Sequence, residues 1–141
     1  MTGISAVAPQ RMALGLTIVR ILVGIVFIAH GAQKLFVFGF SGVIGAFGQM
    51  GIPLPGIVGP GVAILEFVGG ILILVGLFTR VIATLLAIDM LGAIFFVHLK
   101  NGFFLPNGFE FAFTMLLANL SLAVGGPGAY AIESRFMGRG P

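Results

Sequence analysis

The chain has 141 residues, of which 59% are hydrophobic and 8% charged, with a mean hydropathy of +1.21. A soluble domain carries charge on about a quarter of its residues, so this composition excludes one and specifies an integral membrane protein. The net charge of +3 does not indicate nucleic acid, because the seven Lys and Arg residues stand singly along apolar segments and form no patch that could track phosphates. With no cysteine there is no disulfide, thiol relay or thiolate metal site, so any redox role must use a bound cofactor or another subunit.

The first dozen residues are polar or small and read as a short cytoplasmic lead-in. An apolar run follows from about Met12 to Phe36, too long for the roughly 7 to 15 residue core of a signal peptide, and is expected as the first transmembrane helix. Within it, RILVGIVFIAHGAQK (20–34) carries Arg20, His30 and Lys34. An arginine at membrane depth costs at least ~2.5 kcal/mol unless it finds a partner or water. Two of the chain's four acids, Glu66 and Asp89, also lie in apolar runs, so Arg20, Glu66 and Asp89 are expected to form an intramembrane charge network.

Residues 38–60 are rich in Gly and Pro and lack a continuous span, which predicts a loop with a short interfacial helix around 42–50. The second span is expected from Val58 to Phe78, with Gly69 and Gly70 sharing the face of Glu66 and admitting a close neighbour. Phe78, Thr79 and Arg80 make a short connection that turns the third span, Val81 to His98, antiparallel to the second. Glu66 and Asp89 each fall about halfway along their spans, near the membrane midplane. After Lys100 the sequence NGFFLPNGFE turns the chain, and the fourth span runs from about Phe109 to Val124 before GGPG ends it. The expected fold is all-α, a single-domain bundle of four transmembrane helices spanning 12–36, 58–78, 81–98 and 109–124. Arg11, Arg80, Arg135 and Arg139 then flank one face, against Lys34 and Lys100 on the other, and the positive-inside rule makes the termini cytoplasmic.

A weak internal repeat is visible in the order His, Lys, Gly/Phe/Pro loop, Glu: His30, Lys34 and Glu66 in the first half, His98, Lys100 and Glu110 in the second. Two hairpins related in this way would bring His30, Lys34, His98, Lys100 and Glu110 to the outer end of the bundle. His30 lies ten residues, or ~15 Å of rise, beyond Arg20 and so belongs to a different layer. Asp89, nine residues before His98, points to nearly the opposite side of an ideal helix and is not expected to join that layer. Donors, an acceptor and surrounding Phe rings suit a quinone-like headgroup or another small amphipathic ligand. The bland alternative has Lys34 snorkelling to headgroups and the phenylalanines facing lipid. Two histidines offer a haem at most, with no third ligand for a catalytic zinc and no CxxCH or HExxH motif, so haem and metal are set aside.

RILVGIVFIAHGAQKLF, the loop ending GIPLPG, LEFVGGILILVGLFTR, HLKNGFF followed by GFE, and the terminal GPGAY together resemble the DoxX family of small four-helix membrane proteins, over about Leu14 to Glu133. Family members often carry an aspartate after GPG, with a basic residue and a serine between, where this chain has Ala129, Ala131 and Glu133. The resemblance implies an inner-membrane protein associated with quinone-linked oxidoreduction. Three functional readings follow: an accessory subunit of a membrane redox complex with a quinone or small amphipathic ligand site, a small-solute or proton transporter, and a purely structural partner of other membrane subunits or of further copies of the chain. No nucleophile and base pair or nucleotide loop stands out, so independent catalysis is not expected.

Overall fold

The computed structural model describes residues 3–137, with side chains from Pro9 onward. Arg139, counted above among the cytoplasmic basic residues, lies outside the described residues. Six α-helices run in order: α1 (Gly3–Ala32), α2 (Gly39–Gln49), α3 (Pro55–Val75), α4 (Thr79–Ala93), α5 (Glu110–Gly125) and α6 (Glu133–Phe136). Two π-helical turns, Gln33–Phe38 and Ile94–His98, extend α1 and α4, and the second is followed by a 3-10 turn, Leu99–Asn101. Three continuous helical stretches, Pro9–Gln49, Pro55–Val75 and Thr79–Asn101, are long and apolar enough to cross a membrane. Glu110–Gly125 is apolar but shorter: its 16 residues rise ~24 Å against a hydrocarbon core of ~30 Å.

The lead-in expected before Met12 is helical from Gly3, so it continues α1 rather than preceding it. The helix expected around 42–50 forms as α2, joined to α1 through the π-turn, and the chain bends where Gly39 takes φ +70°. α2 packs against the start of α3, with Gly59 of α3 facing Val43 and Ile44. α3 stops at Val75, short of the expected Phe78, because Gly76 adopts φ +73°. Its N–H bonds the Ile73 carbonyl and the Leu77 N–H bonds that of Leu72, the paired closure of a Schellman C-cap.

Helices α1, α3, α4 and α5 form a ring, α1 packing on α3 and α5, and α4 on the same two helices. Val23, Phe27, Ile73, Leu86, Met115 and Leu122 lie at its centre. The two most extensive contacts pair α1 with α3 and α4 with α5, one within each half of the weak repeat. In each half the first helix of the pair ends in a π-turn, carrying Lys34 and His98 respectively. α1 and α3 run antiparallel, since Gly24 faces Leu74, Ile28 faces Gly70 and Gly31 faces the backbone of Phe67. Such close backbone approach holds helices together in lipid, where apolar side chains gain nothing by leaving their solvent.

At one end of the ring the C-terminal segment closes over α1, α3 and α4. Ala129 N–H donates to Thr17 Oγ1 at 2.8 Å, and Ile132 and Glu133 N–H donate to Val75 and Gly76 carbonyls at 3.0 Å. Glu133 Oε2 accepts the Thr79 N–H at 3.2 Å, which places a carboxylate on the positive N-terminus of α4. Arg80 bonds the Ala123 and Val124 carbonyls and so closes the C-terminus of α5.

Candidate functional site: a lysine and two carboxyls inside the bundle

The expected network of Arg20, Glu66 and Asp89 divides in two. Arg20 is buried, but it lies beside Gly76 at the end closed by the C-terminal segment. There Nη1 donates to the Pro127 carbonyl at 2.7 Å and Nη2 to that of Tyr130 at 3.4 Å. Glu66 is ten residues earlier on α3, ~15 Å along the helix, out of reach of the guanidinium. The expectation failed because the sequence places Arg20 inside an apolar run but does not reveal that a distant loop offers it free carbonyls.

Glu66 pairs instead with Lys34, whose Nζ lies 2.6 Å from Glu66 Oε2. The Glu66 side chain is 5% exposed and that of Lys34 19%, so the contact is an interior ion pair rather than a surface one. Lys34 does not snorkel outward. It stands in the π-turn Gln33–Phe38, where wider winding re-aims side chains relative to the preceding α-helix, a local irregularity often found at functional positions. Asp89 stands at the same level on α4, since Gly69, one turn after Glu66, packs on Ile82 and Leu86, one to two turns before Asp89. Its Oδ2 is buried and bonded to nothing among the described residues. Asp89 was expected to stand apart from Lys34. The ideal-helix argument compared it with His98, but the relevant neighbour is Glu66 on α3.

The remaining members of the expected outer layer do not converge. His98 Nδ1 lies 3.0 Å from the Asn107 carbonyl, to which Asn101 Nδ2 also donates at 3.3 Å. Glu110 Oε1 accepts the Leu105 N–H at 2.7 Å. Both residues hold the loop between α4 and α5 in shape, and Lys100 is exposed beside it. His30 is exposed one turn before Lys34, its ring centroid 5.7 Å from that of Phe111 on α5. A cleft of about 430 Å³, lined by Phe78, Arg80, Pro127 and Glu133 among others, lies at the C-terminal end instead. Sequence reading missed Asn119, which is fully buried in α5 with Nδ2 on the Met115 carbonyl and Oδ1 unpartnered among the described residues. Its only signal was an amide inside the apolar run TMLLANLSLAV.

Polar groups converging inside an apolar bundle can hold a ligand oxygen or a proton. Lys34 is a donor, Glu66 its counter-ion, and Asp89 has an oxygen to spare.

Comparison with known proteins places the chain among its relatives. The chain is 35% identical over 124 residues, 88% of its own length and 88% of the relative's, to "Putative oxidoreductase CatD" of Bacillus subtilis. It is 36% identical over 132 residues, 86% of its length and 80% of the relative's, to "Uncharacterized membrane protein Rv3486" of Mycobacterium tuberculosis. With "Inner membrane protein YphA" of Escherichia coli it shares 32% over 126 residues, 85% and 89% of the two chains. No solved structure matches it. The DoxX family model matches residues 15–99, a segment that includes Arg20, Lys34, Glu66 and Asp89. Together with the apolar helices, these matches make the chain a membrane protein of the DoxX family.

Proposed function

We propose that this protein is an accessory subunit of a membrane redox complex which holds a quinone-like ligand beside Lys34, Glu66 and Asp89, with His30 at the edge of the site. The carrying observation is the unpartnered Oδ2 of Asp89, a buried polar atom next to an ion pair that is itself 5% and 19% exposed. A quinone offers two carbonyl oxygens on a flat apolar ring, and this position offers a lysine donor, a carboxyl pair and an aromatic face at Phe111 near His30. The name of the Bacillus relative supports the redox association and that of the Escherichia relative an inner-membrane location. In this reading α5 crosses as a fourth, short span. The end bearing Arg11, Arg80, Arg135 and the C-terminal segment faces the cytoplasm.

Titration of the purified protein with a short-tailed quinone analogue tests the site. Asp89→Asn and His30→Ala are expected to weaken binding by roughly tenfold, the equivalent of one hydrogen bond. Glu110→Gln should bind as the wild type does, because Glu110 is committed to Leu105. Equal binding by all four proteins, or none by any, contradicts the ligand site. A transporter remains the second reading because the same buried charges could carry a proton or small solute across the bundle. It requires uptake by protein-containing liposomes that Lys34→Met abolishes. If neither binding nor uptake is found, the protein is a structural partner.

A further inference from the structure

The charges of the interior cluster do not balance when every group is ionised. Glu66 from α3 and Asp89 from α4 bring two carboxyls to one level of packed neighbouring helices, where Gly69 meets Ile82 and Leu86, and Lys34 brings one ammonium. The other charged groups on the packed elements lie elsewhere, Arg11 exposed near the start of α1. Arg20 on α1 is bonded to the carbonyls of Pro127 and Tyr130, and Arg80 on α4 to those of Ala123 and Val124. On α5 the Glu110 carboxylate accepts from Leu105, and the His30 and His98 rings lie against Phe111 and Asn107. Among the described residues, then, one cation faces two acids.

Two ionised carboxylates side by side on neighbouring helices can only repel, and a net charge inside an apolar bundle adds the cost of its desolvation. A proton between them removes both penalties, turning the repulsion into a charge-assisted hydrogen bond and leaving Lys34 balanced by one negative charge. We propose that Glu66 and Asp89 share a single exchangeable proton, so that Lys34, Glu66 and Asp89 form a neutral proton-holding site. The position is not sealed: Asp89 is not wholly buried and the Lys34 side chain is 19% exposed, so the proton can leave and return. The inference deepens the ligand site proposed above, since a shared proton is the donor that a ligand carbonyl oxygen would meet. It rests on the count of charges, however, and is tested without ligand.

Infrared spectroscopy of the ligand-free protein in lipid, at neutral pH, reads it directly. The wild type is expected to show the carbonyl stretch of a protonated carboxylic acid, shifted down in D2O, and to lose that band in both Asp89→Asn and Glu66→Gln. Lys34→Met should strengthen the band as the second carboxyl takes up a proton. A wild-type spectrum without the band, or a band that survives unchanged in either Asp89→Asn or Glu66→Gln, overturns the proposal. The wild-type result stands even if a variant fails to fold, and circular dichroism identifies any that does. Absence of the band leaves quinone binding intact, whereas failure of quinone binding leaves the band, so the two ideas fail separately.

Discussion

Replacing Arg20 by leucine is expected to release the C-terminal segment from the bundle while leaving the cluster of Lys34, Glu66 and Asp89 in place. Arg20 ties the segment to α1 through the Pro127 and Tyr130 carbonyls, and its bond of 2.7 Å to Pro127 is the shorter and stronger. A hydrogen bond to a charged group contributes ~1.5 to 3 kcal/mol, and Arg20 makes two of them, so the substitution should cost about 3 kcal/mol. The loss spreads because the same segment carries Glu133, which caps α4, and the N–H groups that close α3. Hydrogen exchange should therefore rise at residues 127–133 and around Gly76 and Thr79, but not around Lys34. Exchange that instead rises around Glu66 and Asp89 would mean that Arg20 serves the interior cluster after all.

A larger effect is expected from Gly31→Leu. At this position a Cβ would strike the backbone of Phe67, and backbone cannot move aside as a flexible side chain can. Only separation of α1 from α3 accommodates the added atoms, which removes the close packing at Gly24 and Gly70 as well. It also carries Lys34, three residues later, away from Glu66. Overpacking a tight site costs ~1 to 3 kcal/mol, and the broken interior pair adds its own penalty, so the variant should be recovered in low yield and unfold well below the wild type. Gly15→Leu, where a Cβ meets nothing within 4 Å, is the control and should be neutral. Equal stability of the two variants would contradict the α1–α3 contact.

Much of this was legible from composition and run length. The apolar runs located α3, α4 and α5 to within a few residues, whereas α1 begins nine residues before its expected start, and Gly76 and Gly39 mark the ends that hydropathy alone extended too far or left vague. That Glu66 and Asp89 would lie at one level also followed, because the short connection after the second span makes α3 and α4 antiparallel neighbours with both acids midway. Their cation was misassigned. Arg20 and Lys34 were equally available by count, and what separates them is a C-terminal segment more than 100 residues away and a π-turn, neither of which leaves a periodic trace in sequence. The outer layer of His98, Lys100 and Glu110 was inferred from shared order with His30, Lys34 and Glu66. Order does not fix which way a side chain turns, and the loop between α4 and α5 has backbone groups of its own to satisfy.

The interior pair itself is measured most directly by a double-mutant cycle on Lys34 and Glu66. It is best made in the Asp89→Asn protein, so that Lys34 has a single carboxylate within reach. Lys34→Met and Glu66→Gln should each cost ~3 kcal/mol of stability, because each leaves the other group buried without its partner, to stay charged or change its protonation at a cost. The double variant should cost well under the sum, with a coupling of about 2 kcal/mol. Costs that add to within ~0.5 kcal/mol would mean that Lys34 and Glu66 do not meet.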